Sequence, residues 1–171
     1  MSGIAMTTRS ADETRVIGEH LGRLLKAGDV VLLHGDLGSG KTTLTQGIAR
    51  GLGIDAYVQS PTFTLVAEHD SVRAPGDPVR MYHIDLYRLS GEEDLSSFGY
   101  EQYLSPEDGV TVIEWPERAG SVLPECYLLV TLDPTGPDSR RLVLSASSND
   151  GRYDPVLRDL RSMSDPIAQT V

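Results

Sequence analysis

GDLGSGKT, residues 35–42, is the stretch of sequence that decides the fold. It matches the phosphate-binding loop pattern, in which Gly is followed by four residues, a second Gly, Lys and then Ser or Thr. Residues 30–33, immediately before it, read Val-Val-Leu-Leu, which is typical of a strand buried on both faces of a parallel sheet. After it, Leu44, Ile48 and Leu52 recur at helical spacing. Strand, loop and helix in this order form the context that the pattern requires.

The residue types of this loop suit the binding of a polyphosphate. Backbone N–H groups can surround phosphate oxygens only where the chain curls tightly, which favours glycine. The following helix points its unpaired N–H groups and the positive end of its dipole at the same place. Lys41, one of only two lysines in the chain, supplies a mobile charge, and the Thr42 hydroxyl is placed to ligate Mg²⁺. We therefore expect nucleotide contacts from Gly35, Asp36, Leu37, Gly38, Ser39, Gly40, Lys41, Thr42 and Thr43.

Two acidic residues follow strand-like runs and are candidates for holding the metal ion or the attacking water. A loop of this kind needs such an acid at the tip of a neighbouring strand. Glu114 ends the apolar run 110–113, whereas Asp85 ends the more polar run 81–84, so the pattern favours Glu114 for the metal and leaves Asp85 for the metal or for catalysis. Asp85 could instead cap a turn, and Glu114 could be a solvated strand end. Thr62, in Ser-Pro-Thr, is either a switch hydroxyl that senses the γ-phosphate or a simple turn cap.

Length and composition indicate one globular domain. The chain has 171 residues, of which 39% are hydrophobic, and this is enough to bury a core. We place the domain at residues 1–149 and expect residues 150–171 to form a tail with a weak helix, 155–160, and a flexible end. No apolar stretch approaches the roughly 18 to 20 residues of a membrane span, and residues 1–10 lack a signal peptide's apolar segment, which predicts a cytoplasmic protein without a membrane anchor. The single cysteine excludes an internal disulfide.

The charge of the chain limits what it binds directly. Its formal net charge is −10, from 25 acidic and 15 basic side chains. Repulsion from phosphate makes such a protein a poor direct ligand for nucleic acid. If its pathway involves a nucleic acid, we expect another subunit to hold it.

Periodicity and turn residues predict the elements around the loop. Ser10 and Glu13 form a capping box that opens a first helix, and Gly28 is placed to end it. The apolar stripe of that helix comprises Val16, Ile17, Leu21, Leu24 and Leu25. Strands are predicted at 57–59, 65–69, 79–86, 110–113, 127–132 and 141–146, with 65–69 and 79–86 paired antiparallel around an exposed tip at 70–78. Short helical segments are predicted at 92–97, 100–104 and 117–123.

Four motifs in this order resemble one family. GDLGSGKTTLTQG is followed by SPTFTLV, YHIDLYRL and VIEWPE, and together they are similar to TsaE, formerly YjeE. This is a small bacterial ATPase of the machinery that installs threonylcarbamoyl on the tRNA adenosine beside the anticodon. The resemblance spans residues 10–146 and implies an α/β P-loop NTPase fold, with a central parallel sheet, flanking antiparallel strands and helices on both faces. It also implies ATP and Mg²⁺ as cofactors, TsaD and TsaB as partner subunits, and contact with tRNA only through those partners.

The resemblance also assigns roles to particular residues. Lys41 and Thr42 would contact phosphate and Mg²⁺, and Thr62 would be the switch threonine. Asp85 and Glu114 would be the acids needed for metal and water. The start of the first helix, Ser10 and Ala11, would lie near the nucleotide base. In the loop, Ser39 replaces the alanine that the family commonly has, and its side chain is small enough that we expect no loss of binding.

Other functions remain compatible with a phosphate-binding loop. A small-molecule or nucleotide kinase would share the loop, but no segment here concentrates arginines as a kinase lid does. A GTPase is disfavoured because its base-selecting Asn-Lys-x-Asp element needs a lysine, and none follows Lys41. A third possibility is a non-catalytic binding protein in which ATP only orders a docking surface. The pattern leaves the oligomeric state open.

Overall fold

The strands of the protein form one mixed sheet. Its computed structural model describes residues 3–61, 64–71, 79–104, 106–148 and 150–168, with the backbone alone described at Phe98 and at 164–168. Within these residues the strand order is β1-β7-β6-β2-β5-β4-β3. The strands are β1 (Gly3–Thr8), β2 (Val30–His34), β3 (Val66–Asp70), β4 (Arg80–Asp85), β5 (Gly109–Glu114), β6 (Leu128–Pro134) and β7 (Arg140–Ala146).

The direction of the strands confirms the predicted architecture. The four central strands, β6, β2, β5 and β4, run parallel. Strands β7 and β1 continue the sheet antiparallel at one edge, and β3 pairs antiparallel with β4 at the other. Because the central strands are parallel, the loops after β2, β4 and β5 meet at one end of the sheet.

Helices cover both faces of this sheet. They are α1 (Ala11–Leu24), α2 (Lys41–Gly51), α3 (Glu92–Leu95) and α4 (Asp154–Ala168), with 3₁₀ turns at Ser96–Phe98, Tyr100–Tyr103, Pro116–Arg118 and Gly120–Val122. Buried residues of α1, α2 and α4 share one core with one face of the sheet, and Leu89, Leu95 and Ala119 belong to a second core on the other face. None of the helices in the described part of the chain combines the length and the hydropathy needed to cross a membrane.

Helix α1 begins where the capping residues predict, but it ends earlier and presents a different face. The Ser10 hydroxyl accepts from the Glu13 N–H at 3.1 Å, and the Glu13 carboxylate accepts from the Arg9 N–H at 2.7 Å. The helix ends at Leu24, and Gly28 lies in the turn that follows. The inclusion of Val16 in the apolar stripe was wrong, because its side chain is 55% exposed. The buried positions include two glycines instead, Gly18 and Gly22.

Glycines allow α1 and α2 to pack backbone against backbone. A Cβ atom on Gly18 would lie 2.4 Å from the Leu44 carbonyl oxygen, and one on Gly47 would lie 2.3 Å from the Arg15 carbonyl oxygen. Gly22 and Gly51 make the same kind of approach one turn later. The contacts advance together along both helices, so the helices run parallel. Helix α1 thus supports α2 directly behind the phosphate-binding loop.

Two predictions about elements were wrong, and one strand was not predicted. Residues 57–59 form no strand; Val58 enters the core as part of an irregular segment, and β3 occupies the edge of the sheet. The segment 117–123 contains two 3₁₀ turns instead of one helix. Strand β1 was not predicted, although its alternating burial of Ile4 and Met6 has the period of a strand. The predicted hairpin tip at 70–78 falls largely outside the described residues.

The last helix is longer than predicted and belongs to the main core. Instead of residues 155–160, α4 covers Asp154–Ala168. The Tyr153 hydroxyl, just before it, accepts from the Val30 N–H at 3.0 Å and donates to the Val30 carbonyl at 3.1 Å. Strand β6 begins opposite Val31, so this hydroxyl satisfies backbone groups that no neighbouring strand reaches. Residues on both sides of position 149 therefore share one core.

Candidate nucleotide-binding site

The phosphate-binding loop connects β2 to α2 and has the backbone shape that its glycines permit. Gly38 and Gly40 have φ values of +77° and +106°, in a region that residues with a Cβ rarely adopt. Gly40 also caps α2, where no side chain accepts from the first N–H groups of the helix. The start of α2 therefore presents hydrogen-bond donors and the positive end of its dipole to an anion.

The ammonium group of Lys41 lies over the loop and is held there by backbone carbonyls and an aromatic ring. Its Nζ donates to the carbonyls of Gly35 at 2.5 Å and Asp36 at 2.9 Å, and it lies 4.2 Å from the centre of the Trp115 ring. Burial lowers the pKa of Lys41 from its usual value, and the nearby carboxylates of Glu114 and Asp85 oppose that shift. A partly desolvated ammonium group at this position can exchange its carbonyl partners for phosphate oxygens.

Glu114 connects the sheet to the start of α2. Its side chain is 2% exposed and ends β5, where the backbone is in register with Asp85 at the end of β4. The Thr42 hydroxyl donates to its two carboxylate oxygens, at 3.2 and 3.4 Å. His83 Nε2 lies 2.8 Å from Glu114 Oε1. The hydroxyl predicted to ligate Mg²⁺ is thus held by this acid.

Asp85 contacts a different part of the site. It is 3% exposed and accepts a hydrogen bond from the Ser60 hydroxyl, in the segment that leads to Thr62. Its other oxygen accepts from the Tyr87 N–H at 2.9 Å. The two acids therefore lie side by side, but Glu114 is hydrogen-bonded to α2 and Asp85 to the segment before the predicted switch residue.

Both acids and the loop line one open cavity of 310 Å³. An aromatic pair, Tyr87 and Trp115, stands at its wall with ring centres 4.9 Å apart. Leu37 projects from the loop and is 76% exposed. The cavity combines hydrogen-bond donors, two cations, Lys41 and Arg140, two carboxylates and an apolar rim, a donor set that fits a metal-bound polyphosphate.

Arg140 lines the same cavity, is hydrogen-bonded to the loop backbone, and was missed in the sequence. Its Nε donates to the Ser39 carbonyl at 2.8 Å and its Nη2 to the Gly38 carbonyl at 3.2 Å. Its Nη1 donates to the carbonyls of Gly136 and Ser139, in the turn between β6 and β7. The guanidinium group thus joins that turn to the loop. No local pattern announces such a contact, because the two partners are about one hundred residues apart in sequence.

The predicted site residues fall into four groups. The cavity is lined by Leu37, Gly38, Gly40, Lys41, Thr42, Thr43, Asp85 and Glu114. Gly35, Asp36 and Ser39 contact it indirectly, as partners of the Lys41 ammonium. Ser10 and Ala11 do not line it; they lie about two helical turns before Gly18, level with the loop along the parallel helix pair. Thr62 lies outside the described residues.

The arrangement fits Mg²⁺ better than a metal with a full protein cage. Among the described residues, no group of three His, Cys, Asp or Glu side chains is placed to hold a metal ion. Mg²⁺ usually takes only one or two protein ligands and completes its shell with phosphate oxygens and water. Thr42 and Glu114 supply oxygen ligands of that kind, and Asp85 lies beside them.

Comparison with known proteins identifies the family. The profile described as "Threonylcarbamoyl adenosine biosynthesis protein TsaE" matches residues 8–142. The chain belongs to the TsaE family. The TsaE protein of Bacillus subtilis is 35% identical over 160 residues, covering 94% of this chain and 95% of the relative. That of Treponema pallidum is 39% identical over 138 residues, covering 81% and 97%. Both relatives are named tRNA threonylcarbamoyladenosine biosynthesis proteins.

A solved structure of a TsaE relative has the same fold. The crystal structure of Bacillus subtilis YdiB superimposes with a TM-score of 0.77 at 32% identity, covering 95% of this chain and 96% of YdiB. The chain therefore has the α/β P-loop NTPase fold that the motifs imply. This TsaE-family protein and YdiB are therefore comparable over nearly their whole lengths.

Proposed function

We propose that this protein binds and hydrolyses Mg-ATP in the cytoplasm, and that hydrolysis drives or resets the partner complex that makes threonylcarbamoyladenosine in tRNA. The observation that carries the proposal is the contact of the loop's Thr42 with Glu114, beside Lys41 and within one cavity. The names of its relatives support the pathway. We take TsaD and TsaB as the partners, in keeping with the family.

The residues of the site would have different roles in phosphoryl transfer to water. Loop amides and Lys41 hold the phosphates, and Thr42 and Glu114 provide the ligands for the metal ion. Bound Mg²⁺ would neutralise the charge that develops on the phosphates. Asp85 is placed to orient the attacking water. Thr62 would sense the γ-phosphate, and the hydrogen bond from Ser60 to Asp85 would couple its segment to that water.

We further propose that turnover depends on the partners. Arg140, an arginine that lines the cavity, is bonded through Nε, Nη1 and Nη2 to backbone carbonyls, so it is not available as an arginine finger. Charge stabilisation in the transition state would then come from outside the chain or from a rearranged segment. A net charge of −10 also makes direct tRNA binding unfavourable, so TsaD and TsaB would hold the RNA.

Phosphate release from Mg-ATP, with and without TsaD and TsaB, tests this function. We expect slow release by the protein alone and faster release with both partners. The Lys41→Ala variant serves as the control for contaminating ATPases. Equal rates with and without partners would contradict partner dependence, and a wild-type rate equal to that of the Lys41→Ala variant would contradict hydrolysis itself. Transfer of phosphate to a metabolite in preference to water would instead indicate a kinase.

A further inference from the structure

We propose that His83 is a positioning residue that orients Glu114 toward the metal ion. The inference rests on the proposed function, because it concerns how the chain prepares a carboxylate for Mg²⁺. His83 is fully buried in β4, and its Nε2 lies 2.8 Å from Glu114 Oε1.

The surroundings of the ring determine which nitrogen carries the hydrogen. An ionised carboxylate can only accept, so Nε2 must donate to Glu114. The other ring nitrogen, Nδ1, is buried and has no partner among the described residues. A hydrogen on Nδ1 would be a buried donor without an acceptor, which is unfavourable. The geometry therefore selects the imidazole with its hydrogen on Nε2.

The contact approaches Glu114 from the side opposite the nucleotide loop. His83 is in register with Val112, two residues before Glu114 on β5, and therefore lies on the sheet beneath the carboxylate. Thr42, on α2, approaches the same carboxylate from the loop. Glu114 is thus held between the sheet and α2, and its orientation in turn directs the Thr42 hydroxyl. Hydrogen bonds to ligand groups of this kind tune metal affinity.

The position makes a purely structural role testable. Its neighbours Met81, Val110 and Val112 are apolar and fully buried. If His83 only filled space, any variant with a side chain of similar volume at this position that still folds would keep the native Mg²⁺ dependence. If His83 positions Glu114, only a side chain that places a hydrogen-bond donor near the position of Nε2 would keep the native Mg²⁺ dependence.

Glutamine and asparagine separate these possibilities. His83→Gln can place an amide N–H near the position of Nε2, whereas His83→Asn carries the same amide one methylene shorter. His83→Leu removes the donor altogether. Unfolding midpoints of all variants show which remain folded, and the Gln and Asn pair remains informative if the Leu variant does not fold.

The measurement is the Mg²⁺ dependence of nucleotide binding. The only tryptophan, Trp115, lies in the cavity wall, so its fluorescence can follow binding of ADP or ATP at increasing Mg²⁺. We expect the Asn and Leu variants to need about 10-fold more Mg²⁺, with unchanged nucleotide binding in EDTA, and the Gln variant to stay close to wild type. In turnover, kcat should fall for Asn and Leu while the KM for Mg-ATP at saturating Mg²⁺ changes little.

The outcomes distinguish this inference from the proposed function. If folded Asn and Gln variants show the same Mg²⁺ dependence, whether native or impaired, His83 is not positioning Glu114. If the wild-type protein binds nucleotide without any effect of Mg²⁺, the proposed Mg-ATP function fails, and this inference fails with it. Both the proposed function and this inference are supported if nucleotide binding by the wild-type protein depends on Mg²⁺, if His83→Asn needs more Mg²⁺, and if His83→Gln needs about as much as the wild type.

Discussion

At the scale of single residues, the two acids of the site differ in what they contact. Glu114 accepts from Thr42, the proposed metal ligand, whereas Asp85 accepts from Ser60 and from the Tyr87 N–H. Their side chains are equally buried, so exposure does not separate them. Their partners do, and this suggests metal binding for Glu114 and water positioning for Asp85.

Neutral isosteres of the two acids should therefore have different effects. Glu114→Gln should weaken Mg²⁺-dependent nucleotide binding as well as hydrolysis, because it removes a charged ligand. Asp85→Asn should bind Mg-nucleotide almost normally but hydrolyse it about 100-fold more slowly, the usual scale for one group that acts in the transition state. Calorimetry and phosphate release measure the two effects. Normal hydrolysis by Asp85→Asn would exclude water positioning by Asp85. Weaker Mg²⁺-dependent nucleotide binding in Asp85→Asn, but not in Glu114→Gln, would reverse the assignment.

The sequence predicts the position and surroundings of the loop but not the side chains that support it. Lys41 and Thr42 are recognisable because their positions are set by a local backbone shape that has one known use. Glu114 follows from the strand ends of a parallel sheet. His83 and Arg140 act through contacts with residues 31 and about one hundred positions away, and such contacts leave no local periodicity.

Arg140 nevertheless allows a sharp test. It spans the loop and the β6–β7 turn with a planar fork that lysine cannot reproduce. We expect Arg140→Lys to raise the KM for ATP about 10-fold, since two hydrogen bonds to the loop, each of about 0.5–1.5 kcal/mol, are lost.

Arg141 provides the matched control. It is the next residue of β7 and is exposed, so Arg141→Lys should leave the KM for ATP unchanged. If both substitutions behave alike, the fork of Arg140 does not maintain the loop.

At the scale of elements, the close contact of α1 and α2 has a direct energetic consequence. Cβ atoms at the contacting glycines would lie within 2.4 Å of backbone oxygens, and backbone cannot move aside as a flexible side chain can. The sequence predicted both helices from periodicity, but it indicated a wider apolar stripe on α1. Glycine contributes nothing to apolar periodicity, so a helix face built on it is difficult to recognise.

Alanine at these glycines should destabilise the fold. We expect Gly47→Ala to lower the free energy of unfolding by about 1–3 kcal/mol, or more if the helices cannot separate, despite alanine's better helix propensity. Gly91→Ala, where an added Cβ meets nothing within 4 Å, is the control and should be nearly neutral. Denaturant unfolding measures both. A neutral or stabilising Gly47→Ala would show that the helices are not in backbone contact.

At the scale of the whole molecule, the chain's last helix completes a core that the first strand begins. Ile4 and Met6 of β1 share that core with Val156, Leu157 and Leu160 of α4. Both elements were poorly predicted, because two alternating apolar residues are a weak strand signal and a short amphipathic segment is a weak helix signal. Packing between distant parts of the chain stabilises them.

Tyr153 provides the test at this scale. Tyr153→Phe removes the hydroxyl that pairs with both backbone groups of Val30, and leaving these buried groups unpaired should cost about 1–3 kcal/mol. ATP hydrolysis well below the unfolding transition should not change, because α4 lies at the opposite end of β2 from the loop. Tyr57→Phe, at a side chain that is 78% exposed, is the control. Equal unfolding midpoints for both variants would exclude a stabilising role for this contact.

The contact between Gly3 and Arg161 has a practical consequence. The Arg161 guanidinium donates to the Gly3 carbonyl at 3.3 Å, so the start of β1 lies beside α4. Gly3 lies about 17 Å along β1 from Thr8, the residue that pairs with Arg140 beside the loop. A dye or surface linker attached at a cysteine introduced beside Gly3 or Arg161 would thus lie at the end of the sheet opposite the candidate nucleotide cavity. Immobilised protein should remain open to ligand at its opposite pole.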